Sequence, residues 1–131
     1  MSYEIKTMKL KILLIFSIPF LIFTCKKIDE TLLHGEWKVD SMIEKGKATD
    51  KGAEQATFNF LSNGTYTYEI SYYKEAGNYT TKDGKLYSTD TLNSDRIEKV
   101  VRVVQITADS MVLEMNNAGI PQIWNCFKSS K

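Results

Sequence analysis

From Thr31 onward, apolar and polar positions alternate with period two, and turn residues interrupt the alternation at short intervals. That is the pattern of strands with one face buried. The clearest run is Thr65 to Tyr73, where Tyr66, Tyr68, Ile70 and Tyr72 fall on one face and Thr65, Thr67, Glu69 and Ser71 on the other. Before it, Phe58 and Phe60 alternate with Thr57 and Asn59, and Ser62-Asn63-Gly64 supplies a turn. Asn-Gly tolerates positive φ at both central positions of a tight hairpin, and Asp83-Gly84 repeats the signal. No segment from Thr31 onward keeps helical spacing long enough to predict a helix. The pattern predicts strands at roughly 35–44, 54–61, 65–74, 76–82, 85–92, 97–107, 110–116 and 120–128. On the first strand Trp37, Val39 and Ile43 point inward and Glu36, Lys38, Asp40 and Glu44 outward, with Ser41 and Met42 as exceptions.

This predicts an all-β chain with eight antiparallel strands and no segment left for a crossover helix. In up-and-down order the strands close into a barrel and remove both exposed edges. A two-sheet sandwich accommodates the same strand count. A domain this short buries only about two-thirds of its unfolded surface, so its own side chains are expected to fill most of the interior.

The N-terminal segment has a different character. Ile12 to Phe23 is apolar apart from Ser17 and contains Pro19. It is too short for a membrane span, which needs about 20 apolar residues. It fits the apolar region of a signal peptide, with Lys6, Lys9 and Lys11 as the basic region in front. Leu21-Ile-Phe-Thr-Cys25 resembles a bacterial lipobox, although Thr24 stands where Gly, Ala or Ser is usual and Phe23 is large. The resemblance implies a signal peptide over 1–24, lipidation of Cys25, a charged tether over 25–31 and a domain over 32–131. Lys26-Lys-Ile-Asp-Glu30 also resembles the surface-export signal of some Gram-negative lipoproteins, and it suits a solvated tether equally well.

The chain has two cysteines. An exported protein can pair Cys25 with Cys126. With Cys25 lipidated, Cys126 is expected to be a small buried hydrophobe on the last strand.

Charge and composition narrow the function. Seventeen Lys and Arg against sixteen Asp and Glu leave +1, which argues against an electrostatically driven nucleic-acid binder. The single His34 cannot build a His-rich metal site, and no cofactor motif is present. Ser71-Tyr-Tyr-Lys74 spells S-x-x-K, but on a strand its two functional residues point to opposite faces. Asp90, Asp95 and Glu98 cluster in sequence without the spacing of a calcium loop. No metal site and no catalysis are expected.

Leu32-Leu-His-Gly35-Glu-Trp37 opens the first strand. Gly-x-Trp at that position resembles the signature of lipocalins and their calycin relatives. The implied role of Gly35 and Trp37 is to close one end of the barrel. Phe58 to Tyr66, Gly84-Lys-Leu86 and Ile106 to Leu113 extend the resemblance to the small lipocalin-like domains of bacterial lipoproteins. Two features depart from typical lipocalins. No Arg follows Arg102, which leaves Lys128 to lie on Trp37, and Thr107 is followed by Ala108-Asp109.

The reading is therefore a lipid-anchored, non-enzymatic lipoprotein of the cell envelope, held at the periplasmic face or the cell surface of the outer membrane. Its expected partners are the membrane, through the lipid on Cys25, and a small apolar or amphipathic ligand lined by Phe58, Phe60, Tyr66, Tyr68 and Tyr72. The alternative is a protein-interaction or inhibitor module with a filled barrel core, whose partner is another envelope protein.

Overall fold

The computed structural model describes residues 27–49, 56–94 and 96–130. The segment 1–24, expected from its sequence to be a signal peptide, and Cys25 lie outside them. The described chain forms a one-turn helix, α1 (Glu30–Leu33), followed by β1 (Gly35–Glu44), β2 (Lys47–Thr49), β3 (Thr57–Phe60), β4 (Thr65–Ile70), β5 (Tyr73–Lys82), β6 (Lys85–Asp90), β7 (Glu98–Ile106), β8 (Ser110–Asn117) and β9 (Ile120–Lys128). Each pairs antiparallel with its neighbours, and β1 pairs with β9 as well as β3. That last pairing closes β1 and β3–β9 into an eight-stranded up-and-down barrel and settles barrel against sandwich.

The short β2 was not expected. It folds back on the end of β1 through Lys45-Gly46, both at positive φ, and pairs Met42 with Thr49. Asp83-Gly84 also has positive φ at both residues, as expected from its sequence. Asn63-Gly64 does not. Only Gly64 adopts positive φ. The Asn63 side chain instead accepts hydrogen bonds from the Thr65 backbone N–H and hydroxyl at 3.0 and 2.6 Å, making a longer connection.

Two shifts of phase correct the expected faces. The register of β1 against β9 slips between Val39 and Ser41. Such a bulge adds a residue and reverses the alternation beyond it. Met42 is therefore buried in the core while Ile43, expected inward, is only half-buried. The second shift concerns the predicted strand 65–74. It turns at Ser71-Tyr72, and β5 begins at Tyr73 rather than 76. Tyr72, expected on the interior face, is 89% exposed.

The core runs through the barrel from α1. Leu33 and Trp37 are fully buried, and Phe60, Met111 and Leu113 nearly so. Packing reaches upstream of the Gly-x-Trp motif to Ile28, which belongs to the same cluster. Asp29 caps α1 by accepting the Thr31 N–H at 3.0 Å, and Thr81 on β5 donates to Glu30. The helix thus seals the end of the barrel where β1 begins and β5 ends.

Candidate functional site

The sealed end is built on Gly35 and Trp37. The Trp37 indole N–H donates to the Leu33 carbonyl at 2.8 Å, so its buried polar atom is satisfied. Lys128 fills the place of the missing Arg. Its Nζ lies 5.0 Å from the Trp37 ring centroid and donates to the Leu32 carbonyl at 3.0 Å. Gly35 has φ +120, and a Cβ there would stand 3.0 Å from Lys128 Cε. Glycine therefore suits both the backbone and the approach of the lysine. Cys126 is buried on β9 with a free thiol, and burial pushes its pKa up to about 12.

The opposite end is open. A cavity of about 490 Å³ enters the barrel there, so the interior is not filled as expected. The strands on one side supply an aromatic wall. Phe58 and Phe60 on β3, Tyr66 and Tyr68 on β4 and Trp124 on β9 all line it. Phe58 stands at the centre of this wall, with ring centroids 4.8 Å from Tyr68 and 6.0 Å from Trp124. Leu86, Val101, Leu113 and Met115 supply aliphatic surface. Phe58, Phe60, Tyr66 and Tyr68 are thus brought together as the sequence led one to expect. Tyr72 is not. It lies in the β4–β5 turn.

Polar groups reach the cavity from β5, β7 and β9. Glu75 is buried, and its carboxylate accepts from the Tyr66 hydroxyl at 3.1 Å, the Tyr73 hydroxyl at 3.0 Å and the Lys99 ammonium. A buried charge survives only when paired and hydrogen-bonded, and these donors meet that need. Lys99 is half exposed, which places its head between Glu75 and solvent. Gln122 links the wall to β1. Its amide N–H donates to Glu44 at 2.9 Å while its oxygen accepts the Trp124 indole N–H at 3.1 Å.

Tyr68 differs from Tyr66. Burial, reinforced by the Glu75 charge, pushes its pKa up to about 12. Among the described residues, no group hydrogen-bonds to its hydroxyl, which leaves that hydroxyl available at the cavity. Burial and Glu75 raise the Tyr66 pKa as well, but there the hydroxyl is committed to Glu75.

Glu75, Lys99, Gln122 and Trp124 were missed in the sequence. Trp124 was accessible to parity, since it lies two residues from Cys126 on the last strand. Glu75 was hidden by the misplaced turn. With a break near residue 75 it reads as a loop carboxylate, and only a turn at Ser71-Tyr72 sends it inward.

The Asp90 carboxylate is used locally. It accepts from the backbone N–H groups of Leu92 at 2.9 Å and Asn93 at 3.3 Å and from the Asn93 side chain. Burial raises its pKa, but the hydrogen bonds from Asn93, Leu92 and Ala76 outweigh that effect and hold it below the usual value. Asp95 lies outside the described residues. Among the described residues, no group of three His, Cys, Asp or Glu converges to hold a metal ion. His34 ends α1 as its C-cap residue.

A closed up-and-down barrel sealed by Gly-x-Trp at one end and open to an aromatic cavity at the other defines a class of fold that typically binds rather than catalyses. The chain belongs to the lipocalin-like domain family, whose model matches residues 33–113. Its fold is similar to that of an uncharacterized protein from Bacteroides eggerthii, at 18% identity and a TM-score of 0.58 over 73% of this chain and 98% of that one. It is also similar to a lipocalin-like protein from Bacteroides uniformis, at 15% identity and a TM-score of 0.55 over 76% of this chain and 99% of that one. No curated protein matches the chain.

Proposed function

We propose that the protein is a lipid-anchored lipoprotein of the outer membrane whose barrel binds a small apolar or amphipathic ligand and performs no catalysis. The observation that carries the binding reading is the open, aromatic-walled cavity of about 490 Å³. Small-molecule sites fall at roughly 300–1,000 Å³, mostly apolar with a few placed polar groups. Phe58, Tyr68 and Trp124 offer flat apolar surface, and the Tyr68 hydroxyl offers one hydrogen bond. Lys99 and Glu75 add a charged pair beside them. The Cys126 thiol, buried and held protonated, is no nucleophile.

Native mass spectrometry of protein purified gently from its host tests this reading. The expected result is one small apolar molecule per chain, lost on denaturation, with lower occupancy in Tyr68→Ala. Folded protein that is always empty would turn the reading to the protein-interaction module. That second reading draws on one observation. Tyr72, Leu92 and Ile97, at the β4–β5 turn and the β6–β7 connection on the open side, are 89%, 57% and 62% exposed. The anchor is tested separately, by metabolic labelling with a fatty-acid analogue. Label is expected on the wild type and not on Cys25→Ser, and equal labelling would remove the anchor.

A further inference from the structure

On the lipid anchor proposed above, we infer that the sealed end of the barrel is the face applied to the membrane and that the cavity opens away from it. Ile28 is 6% exposed and packed into the core cluster just ahead of α1. Only Lys26 and Lys27 separate it from Cys25. Three fully extended residues span at most about 11 Å. A lipid on Cys25 therefore enters the bilayer within about that reach of Ile28, too short a leash for the barrel to turn over.

The fold fixes which end this is. α1 is tied to Thr81 near the end of β5 and, through Leu32 and Leu33, to Lys128 and Trp37. The same end carries the Ser62–Gly64 and Asp83-Gly84 turns. It exposes Leu61, Lys27 and Lys82 beside Asp29, Glu30 and Asp83. These charges are mixed in sign, so tether length rather than attraction to anionic lipid sets the orientation. β5 runs from Tyr73 on the cavity side to Lys82 on the sealed side, ten residues or about 30 Å along the strand. With the usual tilt of barrel strands this is about 20–25 Å along the axis. The cavity mouth therefore stands about that far from the bilayer that holds the anchor.

Two consequences follow for the site. Its ligand exchanges with the aqueous compartment or with a docked protein, not by lateral uptake from the anchoring leaflet. Tyr72, Leu92 and Ile97 face the same compartment.

Short-range fluorescence quenching tests the orientation. Full-length acylated protein carrying Lys82→Cys or Tyr72→Cys is labelled with a small thiol-reactive fluorophore. Both positions are exposed, whereas the buried Cys126 thiol is spared. The labelled chains are placed in vesicles of phosphatidylethanolamine and phosphatidylglycerol containing a lipid with a nitroxide on its headgroup. Severalfold stronger quenching at position 82 than at 72 is expected. Equal or stronger quenching at 72, or none at either position in protein shown to be acylated and vesicle-bound, would overturn the orientation. The Cys25→Ser chain separates this from failure of the anchor, because undiminished labelling and vesicle binding there remove the lipid itself.

Discussion

The two tryptophans sit at opposite ends of the barrel in opposite circumstances. Trp37 is fully buried, its indole N–H held by a backbone carbonyl and its ring covered by Lys128. Trp124 is half-buried, its indole N–H held by the Gln122 side chain and its ring turned to an open cavity. The sealed end gains stability from packing against α1. The open end leaves aromatic surface uncovered and keeps a buried carboxylate, Glu75, that needs several donors. Apolar area removed from water stabilises the fold, so the first end carries stability and the second holds surface in reserve for something else.

The largest expected effect tests that contrast directly. Trp37→Ala should cost about 3–5 kcal/mol, the usual range for removing a large buried aromatic. Trp124→Ala should cost less than half as much, because part of its ring already faces the cavity. Chemical denaturation of the two variants gives both numbers. Equal losses would mean that the open end is as tightly packed as the sealed one.

Two glycines sharpen the comparison. At the sealed end a Cβ on Gly35 would press on the flexible tip of Lys128. On β5 a Cβ on Gly77 would fall 1.9 Å from the Thr89 carbonyl oxygen, which is backbone. β6 cannot yield there without parting from β5, so Gly77→Ala should lose about 1–3 kcal/mol or more, the range for overpacking. In a thermal melt the expected signature is a lowered midpoint together with faster amide exchange on β6. An unchanged midpoint would show that the β5–β6 pair is looser than its register implies.

Much of this architecture was legible in the sequence. Period-two alternation with Asp83-Gly84 between strands fixes the β5–β6 hairpin, and Gly35-Glu-Trp37 marks the sealed end. What escaped was local phase. The bulge after Val39 carries no sequence signature beyond the misfit of Ser41 and Met42, and it moved Met42 inward in place of Ile43. Ser71-Tyr72 turns the chain with Ser alone, which acts more weakly than Asn or Asp among the usual turn residues, and without Gly, Pro, Asn or Asp. That one turn decided the fate of two site residues, taking Tyr72 out and bringing Glu75 in. Cavity volume was also illegible, since an alternating aromatic stripe looks the same whether the opposite wall touches it or stands back.

Alkaline titration probes both ends at once. The Cys126 pKa is pushed from 9.0 to about 12, that of Tyr68 from 10.0 to about 12, and that of Tyr66 upward as well, in each case chiefly by burial. The folded state therefore holds these protons more tightly than the unfolded chain. Their contribution to stability is fully present below the unfolded values and is lost as pH rises toward about 12. Denaturation midpoints should fall steadily above about pH 9, and Tyr66→Phe and Tyr68→Phe should flatten the upper part of that fall. A midpoint independent of pH up to 11, well above the ordinary tyrosine value of 10.0, would mean that these groups are solvated in the folded protein.

The smallest expected effect falls on the residue whose place changed most. Tyr72 and Tyr68 are four positions apart and share one face in an unbroken strand, yet Tyr72 is 89% exposed in a turn while Tyr68 lines the cavity. An exposed turn residue with no buried partner should tolerate replacement within about 0.5 kcal/mol, so Tyr72→Ser should leave the denaturation midpoint unchanged. Tyr68→Ala removes a ring that contacts Phe58 and Trp124 and should destabilise clearly, while also lowering occupancy by any cargo. Measured together by denaturation and native mass spectrometry, the pair separates interior from rim. If Tyr72→Ser lowers occupancy as much as Tyr68→Ala at unchanged stability, the turn folds over bound cargo and the mouth is part of the site. If it changes neither, the site ends at the aromatic wall, and the exposed Tyr72 ring is left for contacts outside the barrel.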